Sequence, residues 1–97
     1  MTQKQLNDSL LWASEKGYKE IAQPLLDQGA DVHANDEGAL RKASMYGNKQ
    51  VVQLLLDHGA DVHTMDDYAL RWASRNGHKE VVKLLKEYMN DPKTTKR

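Results

Sequence analysis

His33 and His63 stand thirty residues apart, Asp66 and Asp67 are adjacent acids, and Ser14, Ser44 and Ser74 recur at the same interval. Histidine and carboxylate are ordinary zinc ligands, and a serine beside a base is an ordinary nucleophile. The spacing argues against both. Units repeating along a stack lie on the order of 10 Å apart. Two imidazoles at that separation cannot share a zinc ion at ~2.1 Å per bond. His58 falls at a helix end, and His78 belongs to a Gly-His pair. The serines sit beside alanine in short helical stripes and not on a strained turn, so they read as packing residues. Asp66-Asp67 heads a helix, where a carboxylate accepts from free N–H groups. No glycine-rich phosphate loop occurs, and there is no cysteine. With nucleophile, base and oxyanion donor all missing, the chain reads as non-enzymatic, with no cofactor and no metal.

What organises these residues is the repeat itself. Segments 31–60 and 61–90 align without a gap and are identical at fifteen of thirty positions. Residues 1–30 share the register, since Leu10, Ala13, Ser14, Gly17 and Leu25 lie thirty before Leu40, Ala43, Ser44, Gly47 and Leu55. A fixed period of this size marks stacked supersecondary units. Within 31–60, Ala39, Leu40, Ala43 and Ser44 form one helical stripe, closed by Gly47. Val51, Val52, Leu55 and Leu56 form a second, closed by Gly59. The small residues of the first helix let the second approach closely as an antiparallel hairpin. The link through Ala60-Asp61-Val62-His63 reads as a short extended arm, with a turn at Met65-Asp66-Asp67. The equivalent turn lies at Asn35-Asp36. Arg41 and Arg71 are expected to bridge to Asp36, Asp66 or Asp67.

Gly59-Ala60-Asp61-Val62, then a short alanine-rich helix, then Gly77-His78-Lys79-Glu80-Val81-Val82-Lys83-Leu84-Leu85, resembles the ankyrin repeat over roughly residues 5–90. The resemblance implies an all-α fold: an ankyrin-repeat α-solenoid of three helix-turn-helix repeats and six helices. The family period is usually 33. The three missing residues fall between Val32 and Leu40, and between Val62 and Leu70, so the β-hairpin fingers should be short or absent. Thr-Pro-Leu-His at the helix start is replaced by Gly38-Ala39-Leu40-Arg41 and Tyr68-Ala69-Leu70-Arg71. His33 and His63 replace the Asn that follows Gly-Ala-Asp-Val in the family. The variant is similar to the 30-residue ankyrin repeats of large DNA viruses and some intracellular bacteria.

The expected organisation is one domain over 1–92, with repeats at about 1–30, 31–60 and 61–90, and a flexible basic tail at 93–97. Thr2-Gln3-Lys4-Gln5 fits a capping box, so the first helix should begin near Gln3. Lys86 replaces the apolar Leu26 and Leu56, and Pro92 opposes a further repeat, so the ends read as finished. Pro24 sits inside the second helix of the first repeat. It predicts a kink or a late start there and a softer first repeat.

Fourteen basic residues balance fourteen acidic ones, and removing Lys93, Lys96 and Arg97 leaves residues 1–92 at −3 (11 − 14). That balance argues against nucleic acid as the main partner. No run approaches eighteen apolar residues, so no membrane span is expected, and the chain reads as an intracellular monomer. The expected activity is binding a protein partner through a concave face. By resemblance, the contacts are Asn35, Asp36, Met45, Tyr46, Met65, Asp66, Arg71, Trp72, Arg75 and Asn76. The columns of Met45 and Arg75 and of Tyr46 and Asn76 differ completely between copies while the stripe residues persist. Trp12, Lys42 and Trp72 share one column, which places Lys42 between two indoles or makes the tryptophans seam cover. A structural or self-associating repeat module, or an engineered ankyrin scaffold, is the alternative reading.

Overall fold

Six helices make up the described part of the chain, residues 1–90 of a computed structural model. They are α1 (Gln3–Lys16), α2 (Lys19–Asp27), α3 (Ala34–Met45), α4 (Lys49–Asp57), α5 (Thr64–Arg75) and α6 (Lys79–Met89). No strand occurs among the described residues. Each pair α1–α2, α3–α4 and α5–α6 forms a hairpin. The hairpins stand in a row, with α1 on α3 and α3 on α5 in one layer, and α2 on α4 and α4 on α6 in the other. Pro92 and the basic tail 93–97 lie outside the described residues.

The stripes read from the sequence make the core. Leu10, Leu40, Val51, Val52, Leu55, Val81 and Leu85 are sealed from solvent, as are Ala13, Ala43 and Ala73 between the layers. Each fully buried Leu or Val contributes about 1.5–3 kcal/mol relative to exposure. The capping box at Thr2 forms as expected. Gln5 N donates to Thr2 Oγ1 at 3.1 Å, and Thr2 N donates to Gln5 Oε1 at 2.8 Å. At the other end, Gly59 becomes Met89 in the third repeat, and α6 runs eleven residues where α4 runs nine. Lys86 is exposed, while Leu26 and Leu56 are buried.

Three local expectations are corrected. Helix α2 spans nine residues beginning at Lys19, as α4 does beginning at Lys49, so Pro24 does not delay the start. Pro24 and Glu20 are both exposed, so the carbonyl deprived of its N–H partner can be hydrated. The link before each first helix is a turn and not an extended arm. Asp31 Oδ1 accepts from His33 N, and Asp61 Oδ1 from His63 N, both at 2.9 Å, and this short loop folds the chain back.

The third correction concerns the turns themselves. Asn35, Asp36 and Glu37 have φ of 59°, 54° and 61°, and Met65, Asp66 and Asp67 have φ of 56°, 60° and 58°. Each triplet is one left-handed turn at the head of a right-handed helix. It takes the place of a hairpin finger, which accounts for the three-residue shortening. A left-handed residue with a Cβ costs roughly 1–2 kcal/mol, less for Asn and Asp. The turn therefore needs braces. Arg41 Nε and Nη2 donate to the carbonyls of Asp36 and Asn35 at 3.0 and 2.9 Å. Arg71 repeats this on Asp66 and Met65 at 2.9 and 3.1 Å. The arginines thus hold main-chain carbonyls, where carboxylates had been expected. Nor do Asp66 and Asp67 cap the helix: His63 stands at the N-cap without a side-chain capping bond.

The seams between repeats turn on glycine. A Cβ at Gly17 would lie 2.8 Å from Asn48 Oδ1, and one at Gly47 would lie 2.5 Å from His78 Nδ1. At Gly77 a Cβ would meet nothing within 4 Å among the described residues. All three have φ between 75° and 79°, so the backbone strain of an Ala substitution is common to them. Gly47→Ala should therefore destabilise by at least about 1–3 kcal/mol more than Gly77→Ala, because only the former overpacks a seam. Urea unfolding of both variants measures the difference. Equal losses would remove the seam from the explanation.

Candidate partner-binding face

The variable columns lie on the exposed side of α1, α3 and α5 and on the left-handed turns that precede α3 and α5. On α5, Tyr68, Trp72, Arg75 and Asn76 fall at i, i+4, i+7 and i+8, one helical stripe. Tyr68 and Trp72 rings are 5.8 Å apart between centroids. The Arg75 guanidinium lies over Trp72 at 5.1 Å. Arg41 and Arg71 flank Tyr68 at 5.1 and 5.8 Å. The result is a continuous cation–aromatic stack joining the second and third repeats. Each such contact is worth about 0.5–1 kcal/mol when exposed.

Arg71, Trp72 and Arg75, expected from the sequence, are thus brought together with two residues it did not single out as contacts, Tyr68 and Arg41. The signal was present in part: Tyr68 stands four before Trp72, and Arg41 thirty before Arg71. Met65 and Tyr46 are each 51% exposed. Asn35, Asp36 and Asp66 are exposed on the turns. Met45 is half-buried, and its carbonyl accepts from Asn76 Nδ2 and His78 Nε2, both at 2.9 Å. Asn76 is therefore engaged in the seam as well as exposed. Lys42 is directed toward Glu15 Oε1 at 3.9 Å, and of the two alternatives the sandwich between indoles does not form. Trp12 stays 48% exposed and packs edge-on against Tyr18 at 5.2 Å. Trp72 is half-buried.

The histidines have structural partners. His58 Nδ1 bonds the Leu54 carbonyl at 2.9 Å, and His63 Nδ1 bonds Asp67 Oδ1 at 2.8 Å. His33 Nδ1 pairs with Glu37 Oε2. Glu37 is buried, and its other oxygen accepts from Asp61 N at 3.0 Å, so one carboxylate ties two repeats together. The thirty-residue register makes Asn7 its counterpart. Asn7 Oδ1 accepts from Asp31 N and from Gln3 Nε2, both at 2.8 Å. The first repeat uses a neutral amide pair where the next two use histidine and acid. This column of clamps was not read from the sequence.

The hydrogen bond to Glu37 raises the His33 imidazole above the ordinary histidine range; desolvation opposes it, and the charges of Glu37, Asp31 and Asp61 add to it. With the folded value above the unfolded one, the pair's contribution is complete below the unfolded value of 6.5. It is lost as pH rises through the folded value. His33→Gln should thus reduce the unfolding free energy more at about pH 5.5 than at about pH 8. Urea titrations at the two pH values test this, and an equal loss at both would contradict it.

A family model described as ankyrin repeats (3 copies) matches residues 10–96. No curated protein matches the chain. The stacked hairpins and the absence of strands among the described residues agree with the family match. The chain belongs to the ankyrin repeat family.

Proposed function

We propose that the chain binds a protein partner through the concave face made by α1, α3, α5 and the two left-handed turns. Ankyrin repeats are in general protein–protein interaction modules and, as a family, non-catalytic. No helix among the described residues is long and apolar enough to cross a membrane. The reading rests chiefly on one observation. Met65 and Tyr46 are half-exposed apolar side chains, and Arg41, Tyr68, Arg71, Trp72 and Arg75 form one cation–aromatic stack. Aromatic and arginine side chains dominate interface energetics, and those already held by neighbours lose little freedom on binding.

Asn35, Asp36 and Asp66 supply a polar rim, with Met45 and Asn76 at the seam between them. Residues 1–92 act as one binding unit. A face of this size buries about 600–800 Å² on one side, so affinity depends on a few anchors. Changing Tyr46, Met65 and Trp72 one at a time to Ala should weaken partner binding roughly 5- to 30-fold each, or about 1–2 kcal/mol. Photo-crosslinkers placed at Tyr46 and Met65 should capture the partner, and those at Gln50 and Lys83 on the outer helices should not. Capture from the outer positions alone would place the interface elsewhere.

A further inference from the structure

The two internal seams are two copies of one interface, and the ends of the stack expose its unmatched halves. Within the seams, Asn48 Nδ2 donates to the carbonyls of Ser14 and Glu15 at 2.8 and 2.9 Å, and His78 Nε2 bonds the Met45 carbonyl at 2.9 Å. Ser14 and Ser44 are fully enclosed there, as are Val51 and Val52. On the third repeat, Ser74 is exposed, and Leu70 and Val82 are only partly covered. Among the described residues nothing lies within 4 Å of a Cβ at Gly77, where Gly17 and Gly47 each receive a side chain. On the first repeat, Ile21 is 41% exposed, whereas its equivalents Val51 and Val81 are at 0% and 1%. Tyr18, at the position of Asn48 and His78, is 44% exposed.

The register says what would meet across a further seam. Leu11 lies against Gly38, Glu15 reaches Lys42, and Arg41 covers Tyr68, each pair twenty-seven residues apart. One more step of the same operation sets Arg71 against Asp8 of a second copy, and Arg75 against its Trp12. The first pair has opposite charges. The second sets a cation on an indole that is already 48% exposed. We propose that the chain associates head to tail, the first repeat of one copy seated on the third repeat of another.

Lys86 stands where Leu26 and Leu56 close the internal seams, so the new seam is weaker than those and reversible. A contact between two different faces does not close on itself, so the assembly lengthens with concentration. Arg71 and Arg75 belong both to this seam and to the proposed partner-binding face, so the two associations share those residues.

Sedimentation velocity on the full chain from ~10 μM to ~1 mM should show mass rising from the monomer. Ile21→Glu spoils only the first-repeat face, and Ser74→Arg only the third-repeat face. Both positions are exposed, so both variants should keep the wild-type circular dichroism and remain monomeric when alone. Mixed in equal amounts, they should form a species of twice the monomer mass and nothing larger, because each retains the face that the other lacks. Asp8→Arg provides a second first-repeat variant: it should stay monomeric alone and pair with Ser74→Arg through its own intact third-repeat face, and its lengthening alone would contradict the pairing of Asp8 with Arg71. A wild type of constant monomer mass, a mixture of Ile21→Glu and Ser74→Arg that stays monomeric, or either of these variants lengthening alone as the wild type does, would overturn the proposal.

Discussion

A single hairpin of this chain has small residues on one flank and branched apolar residues on the other, and neither flank can be covered from within the hairpin. Burial happens only at the seam. There Ala, Ser and Gly on one repeat make room for Val, Leu and a polar side chain from the next. Glycine is what makes the approach possible at Gly17 and Gly47, since any Cβ would overlap Asn48 or His78. The remaining features follow from keeping that seam intact. The clamps at Asn7 and Glu37 fasten the incoming turn, and the arginine braces fix where the next first helix begins.

The seam was the part of the structure written most openly in the sequence. Leu40, Ala43 and Leu55 recur in fixed positions because each must fit the same neighbour, and periodicity reads that directly. The capping box at Thr2 was legible for a similar reason, as it involves residues three apart. The turns were not legible. Asn35-Asp36 and Met65-Asp66 mark a turn, but residue type alone does not tell a left-handed triplet from an ordinary cap. What decides it is Arg41 and Arg71, whose preference for carbonyls over carboxylates depends on where the backbone places its oxygens. Pro24 misled for the opposite reason. The rule for an interior proline is local, whereas its consequence depends on whether the orphaned carbonyl meets water.

The candidate face shows the same division. The family resemblance pointed to Arg71, Trp72 and Arg75, and they do share one patch. It gave no sign that Arg41, from the preceding repeat, would lie over Tyr68, a contact set by the offset between repeats. Lys42 shows the limit of a column. Column membership left it either between two indoles or beside seam-covering tryptophans, and residues in one column are a full repeat apart. The nearer neighbour across the seam, Glu15, takes its ammonium group.

Arg41 and Arg71 grip the turns by backbone oxygens alone, and such a grip is blind to the side chains the turn displays. The side chains at the tips can change without dismantling the support beneath them. Asn35 and Met65 already demonstrate the latitude, an amide in one copy and a thioether in the next upon the same scaffold. The arginine is then the fixed half of an adaptable module, and the residues it holds aloft are the half that selection is free to edit.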